Sequence, residues 1–267
     1  MIRLAAAALL LFASPGPAAA QPLIAAHRGG AALWPENSLL AFKNALALGV
    51  DFVETDVHLT SDREVVVLHD PTLDRTTSGT GPVAERRLAD LASIRLRAAD
   101  GAPTAEPVPT LTQLLELLAP SRARLLLEIK VDAARRRYAG IEENILTLIR
   151  SRGLSARVLI MAFEPDTLRR VRALDAAIPT VLLISKARME REGVATVVRE
   201  AREVRASHLG IDHRVIDGAT VTAARAAKLT LGAWTVNAEP DMRRTIELGI
   251  DILITDRPDL ALRVGGR

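Results

Sequence analysis

The stretch VDFVETDVHLTSDREVVVLHD, residues 50–70, decides the fold and raises the question of function. Successive side chains of a strand point to opposite faces. Alternation along residues 52–59 therefore puts apolar side chains on one face and Glu54, Asp56 and His58 on the other. An acidic pair of this kind, taken alone, is typical of the water-facing side of a surface strand. A functional interpretation depends on which other residues point to the same place.

A second apolar run, residues 64–69, follows the first strand after a connection of about four residues, 61–64. A parallel crossover needs about a dozen residues or more, so this run is expected to return antiparallel, as a hairpin. The return places His69 beside Glu54 and Asp56. The hairpin therefore predicts that acids and a histidine meet at one end of the strand.

Strand-like runs alternate with helix-period runs along the whole chain. Ser38 and Asp217 are typical helix N-caps, and Gly49 is typical of a helix end. A hairpin and a short insertion, residues 71–108 with one helix near 83–95, are expected at the C-terminal rim after the second strand. The alternation predicts a closed parallel (β/α)8 TIM barrel, with strands at residues 23–28, 52–59, 124–130, 157–163, 180–185, 207–211, 231–236 and 252–255.

Residues 1–20, MIRLAAAALLLFASPGPAAA, have the pattern of a secretory signal peptide cleaved near Ala20. The apolar run is shorter than the roughly 20 residues that span a bilayer. Because the chain has no cysteine, it has no disulfides and no lipid-anchoring cysteine. We therefore expect one barrel domain, residues 21–267, in a periplasmic or secreted protein without a stable membrane anchor.

Composition argues against a nucleic-acid partner. The formal net charge is +3, the basic residues are spread along the chain, and aromatic residues make up only 3%. A small-molecule substrate is expected instead, and the pattern leaves the oligomeric state open.

In barrels of this kind, catalytic groups lie at the carboxyl ends of the strands. Because polar side chains gather at that end of each run, the acidic face of residues 52–59 is interpreted as functional. The residues at these ends are His27, Arg28, Glu54, Asp56, Glu128, Lys130, Glu164, Lys186, His213, Trp234, Asn237 and Asp256.

Eight short motifs occur in order between residues 23 and 260. Together they resemble the glycerophosphodiester phosphodiesterase family. The resemblance implies a divalent metal, a small insertion after the second catalytic histidine, and cleavage of a glycerophosphodiester to glycerol 3-phosphate and an alcohol. The motifs are HRGG from His27, PENS from Pro35, AF at Ala41, VETDVHLTSD from Val53, VLHDPTLDRTTSGTG from Val67, LEIK from Leu127, WTVN from Trp234 and GIDILITDRPD from Gly249.

The carboxylates of Glu54, Asp56 and Glu128 form the candidate metal site. Three oxygen donors without a thiol favour a hard cation, so one Ca²⁺ or Mg²⁺ is expected. The alternative for Glu128 is an internal salt bridge with Lys130. An acid and a base on one strand face can serve both purposes, because Lys130 can hold phosphate while it balances Glu128.

His27 and His69 form the candidate catalytic pair. They approach the acids from two sides, which suits a general base on one side of phosphorus and a general acid on the other. Asp70 is a candidate to orient His69, although an acid after a histidine is also common in turns. The sequence leaves open which histidine is the acid, and whether water or the substrate's glycerol hydroxyl attacks.

Arg28, Lys130 and Trp234 are the candidate substrate-binding residues. The guanidinium of Arg28 is expected to bind phosphate through two hydrogen bonds, or alternatively to form an ion pair at the rim of the barrel. Trp234 is expected to wall the glycerol side, or else to pack in the core.

Four further polar residues are assigned no catalytic role. Asn237 is expected to cap the helix that follows it. His58 is expected to be a solvated neighbour of the acids, and nothing in the pattern places His208 or His213 in catalysis.

Three other functions remain open. A phospholipase D-like enzyme of the same fold, acting on lysophospholipids or sphingolipids, would need exposed apolar residues at the rim. A non-catalytic phosphoester-binding barrel would be expected to lack one of the histidines or acids. An unrelated metal-dependent barrel enzyme, such as a sugar-phosphate isomerase, would not need the histidine pair.

Overall fold

A computed structural model describes residues 21–267, and the predicted signal peptide, residues 1–20, lies outside the described residues. The barrel strands are β1 (Leu23–Ala26), β2 (Phe52–Leu59), β6 (Arg124–Ile129), β7 (Val158–Ala162), β8 (Thr180–Ile184), β9 (His208–Asp212), β10 (Thr230–Trp234) and β11 (Ile252–Thr255). Within residues 21–267, none of the helices has the length and apolar character needed to cross a membrane.

Hydrogen bonding between the first and last strands closes the barrel. β1 pairs in parallel with β11, with Leu23 opposite Ile252, and also with β2. The remaining strands pair in parallel with their chain neighbours, in the order β2, β6, β7, β8, β9, β10 and β11. The predicted (β/α)8 barrel is therefore confirmed.

Helices cover the outside of the barrel and bury an apolar layer against the strands. Ser38 begins the first helix, where its side chain accepts a hydrogen bond from the Ala41 amide at 2.9 Å. Asp217 caps another helix through the Thr220 amide, as predicted. The helices are α1 (Leu39–Leu48), α3 (Leu111–Leu118), α4 (Ile141–Ser151), α5 (Pro165–Leu174), α6 (Lys186–Glu203), α7 (Gly218–Ala226), α8 (Glu239–Leu248) and α9 (Pro258–Val264).

The predicted hairpin is present. Strand β3 (Val65–Val67) pairs antiparallel with β2, with Val67 opposite Val57. Because β2 extends through Leu59, the hairpin projects past the end of β2's neighbours. It carries the chain back so that the amide of Leu68 bonds the carbonyl of Asp56 at 3.1 Å.

The predicted single helix near residues 83–95 is wrong. The insertion contains a 3-10 turn (Val83–Glu85), a four-residue helix α2 (Leu88–Leu91) and a small antiparallel sheet of β4 (Arg95–Arg97) and β5 (Pro103–Pro107). The burial pattern of β4 explains the difference. Leu96 is buried and the arginines on either side of it are not, and this alternation is typical of a strand. The apolar side chains form a separate small core from Val66, Leu68, Leu73, Val83, Leu91, Leu96 and Val108.

Candidate active site

Three buried carboxylates meet at the carboxyl end of the barrel. Glu54 and Asp56 alternate onto the same face of β2 as Phe52, which belongs to the apolar core inside the barrel. Glu128 lies opposite Asp56 in the parallel pairing of β2 and β6. One oxygen from each carboxylate lies within 4.8 Å of the others, and the three residues are at most 8% exposed. The predicted metal ligands are therefore brought together.

The charge distribution of this cluster fits a cation. Burial, and then the charge of Asp56, raises the pKa of Glu54 to about 8, and burial also raises the pKa of Glu128. Burial also acts to raise the pKa of Asp56, but Lys130 and the neighbouring histidines outweigh it and lower that pKa. Within residues 21–267, Oδ1 of Asp56 is buried and makes no hydrogen bond, and its charged neighbour is Lys130 Nζ at 3.3 Å. An excess of buried oxygen donors of this kind suits one hard divalent ion.

His27 lies in a 3-10 turn, His27–Gly29, that directly follows β1. Its Nδ1 is 2.6 Å from Oδ1 of Asp256, and its Nε2 is 4.0 Å from Oε2 of Glu54. A carboxylate only accepts hydrogen bonds, so Nδ1 carries the hydrogen and Nε2 is directed toward the acids. The turn brings the chain so close to α1 that a Cβ at Gly29 would lie 2.8 Å from Cβ of Ala41.

Asn237 holds Asp256 in place, so its predicted role as a helix cap is wrong. Its Nδ2 donates to Oδ2 of Asp256 at 2.6 Å, and its Oδ1 accepts from the Asp256 amide at 2.9 Å. The helix α8 has Ala238 at its N-cap, without a side-chain cap. The loops after the last two strands therefore combine to orient His27.

His69 lies on the hairpin return, and Nδ1 of its ring is 2.6 Å from Oδ1 of Asp70. By the same reasoning the ring donates through Nδ1 and presents Nε2. Both predicted catalytic histidines line one cavity with two of the acids. Each histidine is thus paired with its own aspartate.

The expectation that His58 is solvated is wrong, because its side chain is fully buried. Burial lowers the pKa of His58 to about 4, so the ring is neutral. Its Nε2 lies 3.1 Å from the carbonyl oxygen of His69 and its Nδ1 lies 2.9 Å from the hydroxyl of Tyr138. Because a carbonyl only accepts, Nε2 donates to His69, and Tyr138 donates to Nδ1.

Two cations line the same cavity as the acids and histidines. The amide of Arg28 donates to Oε2 of Glu54 at 2.8 Å, and its Nε lies 3.5 Å from Oδ2 of Asp56. Lys130 Nζ lies 2.8 Å from Oε1 of Glu128 and 3.3 Å from Oδ1 of Asp56. The internal salt bridge considered for Lys130 is therefore present, and the same ammonium faces the cavity.

The opposite wall of the cavity is apolar. Trp234 packs edge-on against Phe163, with ring centroids 5.6 Å apart. Trp234 thus contributes both to the wall and to the inner core of the barrel. The apolar residues of this wall are Met161, Phe163, Leu183, Trp234 and Ile254.

Asn37 is a site residue that the sequence interpretation missed, although it lies in the quoted PENS motif. It is fully buried, and its Nδ2 donates to Oδ2 of Asp56 at 3.0 Å. Its Oδ1 accepts from the hydroxyl of Thr55 at 2.9 Å. Asn37 has a positive φ of 57°, which asparagine tolerates better than most residues. The PENS motif is rich in turn residues and lies directly before α1, and this pattern was the signal in the sequence that could have indicated Asn37.

The sequence of the chain matches the family model described as the glycerophosphoryl diester phosphodiesterase family over residues 27–260. A glycerophosphodiester phosphodiesterase of Caldanaerobacter subterraneus is 33% identical over 243 residues, 91% of this chain and 97% of the relative. One from Bacillus subtilis is 30% identical and covers 91% of this chain and 86% of the relative.

Among solved structures, a phosphodiesterase of Oleispira antarctica in complex with the product sn-glycerol-3-phosphate is 25% identical, with a TM-score of 0.77. The match covers 92% of this chain and 98% of that one. On the family match, the relatives and the shared fold, the chain belongs to the glycerophosphodiester phosphodiesterase family of phosphoric diester hydrolases.

Proposed function

We propose that this protein catalyses the metal-dependent hydrolysis of glycerophosphodiesters to glycerol 3-phosphate and an alcohol, with His27 and His69 as the acid and base. The observation that carries the proposal is that two histidines, each paired with an aspartate, line one cavity with a cluster of buried carboxylates. The Oleispira antarctica relative, crystallised with sn-glycerol-3-phosphate as its product, supports the substrate class.

Glu54, Asp56 and Glu128 would hold one Ca²⁺ or Mg²⁺ through carboxylate oxygens. When bound, such an ion would act as a Lewis acid that neutralises phosphate charge, and it would also orient the diester. Asn37 fixes the rotamer of Asp56 through its hydrogen bond to Oδ2, and Oδ1 of Asp56, 3.3 Å from Lys130 Nζ, would be the oxygen that binds the ion.

The two histidines would move protons at their Nε2 atoms. Asp256 and Asp70 hold the hydrogen on Nδ1 of His27 and of His69, respectively, so that each Nε2 can accept or donate a proton in the cavity. A base on one side of phosphorus activates the nucleophile, and an acid on the other side protonates the leaving alcohol. Each transfer contributes roughly 10²- to 10⁴-fold to the rate.

Substrate binding divides between the two walls of the cavity. Arg28 and Lys130 supply the cationic groups for the phosphoryl oxygens. Trp234 and Phe163 offer an apolar surface for the carbon face of the glycerol group. A small substrate with one anionic and one apolar side matches this division.

Water-soluble, deacylated headgroup diesters are the preferred substrates in this proposal. The rim segment of residues 71–109 contains no Phe, Tyr, Trp or Met, which are the residues that engage lipid at an interface. The side chains of its small core, such as Leu73 and Leu96, are buried. The insertion therefore offers charged and small residues to the solvent.

The test is to compare glycerophosphocholine with lysophosphatidylcholine below its micellar concentration, and to identify the products. We expect glycerol 3-phosphate and choline from the first substrate, and a kcat/KM at least about 10-fold lower for the second. A clear preference for the lysolipid, or binding of the protein to liposomes, would instead indicate the phospholipase D-like function.

We also propose that the mature chain acts outside the cytoplasm after cleavage near Ala20. The apolar and small-residue pattern of residues 1–20 supports this location. N-terminal sequencing of the protein from a periplasmic or secreted fraction should give Gln21 first. Recovery of the uncleaved chain from the cytoplasm alone would contradict it.

A further inference from the structure

Arg75, six residues after His69, lies between two carboxylates that contact His69 and Arg28, two residues that line the cavity. Its Nε and Nη2 donate to Oδ2 and Oδ1 of Asp70 at 2.7 and 2.9 Å. Its Nη1 and Nη2 donate to Oε2 and Oε1 of Glu36 at 3.0 and 2.9 Å. A planar guanidinium can make two such paired contacts at once, whereas a lysine ammonium is a point charge.

The contact with Asp70 bears directly on the His69 ring. The same Oδ1 of Asp70 lies 2.9 Å from Nη2 of Arg75 and 2.6 Å from Nδ1 of His69. Hydrogen bonds from Arg75, the largest cause, keep the pKa of Asp70 well below its ordinary value. Asp70 therefore stays ionised, and an ionised carboxylate, which can only accept, keeps the hydrogen of His69 on Nδ1.

The contact with Glu36 reaches the phosphate-binding side. Oε1 of Glu36 accepts from Nη1 of Arg28 at 3.1 Å as well as from Arg75. These hydrogen bonds form one continuous chain between two residues that line the cavity, in the order His69, Asp70, Arg75, Glu36 and Arg28.

Arg75 is the most exposed member of this network. The Arg75 side chain is 48% exposed, against 23% for Asp70 and 16% for Glu36. An isolated exposed ion pair contributes little to the free energy of unfolding, whereas bidentate pairs and charge networks contribute more. A measurement other than stability is therefore needed to separate positioning from stabilisation. On the basis of the proposed function, we propose that Arg75 is a positioning residue. It orients the His69 ring through Asp70 and the Arg28 guanidinium through Glu36, so that both act on one bound diester.

The first test compares Arg75→Met with a matched control, Arg86→Met. Arg86 is exposed in the same insertion, and among residues 21–267 its guanidinium donates only to the backbone oxygen of Thr80, at 3.0 Å. We expect Arg75→Met to lower kcat for glycerophosphocholine about 10- to 100-fold, and the control to change it less than about twofold. The thermal midpoints of the two variants should be similar. Equal kcat values for the two variants would overturn the proposal.

A double-mutant cycle tests whether Arg75 acts through its carboxylate partner. If it does, Arg75→Met should lower kcat less in the Asp70→Asn background than in the native protein, and the loss that remains should reflect the contact of Arg75 with Glu36. Losses that multiply would mean that Arg75 does not act through Asp70. Arg75→Lys should recover part of the lost kcat, because it keeps the charge without the paired geometry.

The tautomer of His69 provides a readout that does not depend on turnover. Nitrogen NMR of the neutral ring, identified by its absence in His69→Gln, should report the Nδ1–H form in the native protein and a mixture in Arg75→Met. An unchanged tautomer in Arg75→Met would overturn the positioning role and leave the proposed function intact. A native protein that leaves glycerophosphodiesters uncleaved, with the tautomer shift present, would instead overturn the proposed function alone.

Discussion

Nδ1 of His27 lies 2.6 Å from Oδ1 of Asp256, although 229 positions separate the two residues in the chain. His27 follows the first barrel strand and Asp256 follows the last, and the parallel pairing of β1 with β11 brings them together. Barrel closure is therefore what completes this histidine–aspartate pair.

Asp256→Asn should lower kcat by about 10-fold or more, because an amide no longer fixes the hydrogen on Nδ1 of His27. Steady-state kinetics with glycerophosphocholine would measure the loss, and a thermal melt would show whether the barrel remains intact. Asp166→Asn is the control, since the Asp166 side chain is 66% exposed and pairs only with Arg169 within the described residues. A variant as active as this control would rule out a role for Asp256.

Glu128→Gln and Asp56→Asn should each weaken binding of Ca²⁺ or Mg²⁺ by about 10-fold or more, since each removes a charged oxygen ligand from a buried site. Isothermal titration of the metal into chelator-treated protein measures this without any substrate. Glu164→Gln is a suitable control, because Glu164 lies at the end of another strand, outside the carboxylate cluster. Native affinity in both cluster variants would place the ion elsewhere.

Tyr138→Phe should reduce kcat by a few-fold, on the order of 2- to 10-fold, with little change in KM. The variant removes the hydroxyl that donates to His58, which in turn bonds the carbonyl of His69. His58→Leu should cost more, because it leaves that carbonyl without its buried donor. If both variants retained native kcat, the position of His69 would not depend on this pair.

The free energy of unfolding should fall as the pH drops from about 6.5 to about 4, partly because of His208. Burial, followed by Arg124, lowers the pKa of His208 to about 4, below its ordinary value of 6.5. As the pH falls, the unfolded chain therefore binds a proton at His208 before the folded chain does. The contribution of His208 to the free energy of unfolding is fully present above pH 6.5 and is lost as the pH falls toward about 4. Urea unfolding across this range should give a shallower pH slope for His208→Gln than for the native protein. The same pH slope in His208→Gln and in the native protein would contradict this prediction.

Local patterns predicted the barrel well. The alternation along β2 and the short connection after Leu59 were enough to predict the hairpin, because period and loop length are local properties. The convergence of Glu54, Asp56 and Glu128 followed from the same reasoning, since parallel strands place their carboxyl ends together.

Long-range and side-chain details could not be predicted in the same way. The contact of Asn237 with Asp256 depends on two loops, whereas a local pattern favoured a helix cap. His58 is buried and bonds Tyr138, which lies 80 positions away in the chain. In the insertion, the alternation around Leu96 was too short to separate a strand from a helix until its small core was known.

The release of glycerol 3-phosphate from glycerophosphocholine by the native protein, His27→Ala and His69→Ala tests the central claim most directly. Each protein would be assayed after exhaustive chelation and again after addition of Ca²⁺ or Mg²⁺. The account predicts activity only in the native protein with metal, and losses of about 10²-fold or more in both histidine variants that metal does not restore. Native turnover after complete chelation, or near-native kcat in either variant, would contradict it.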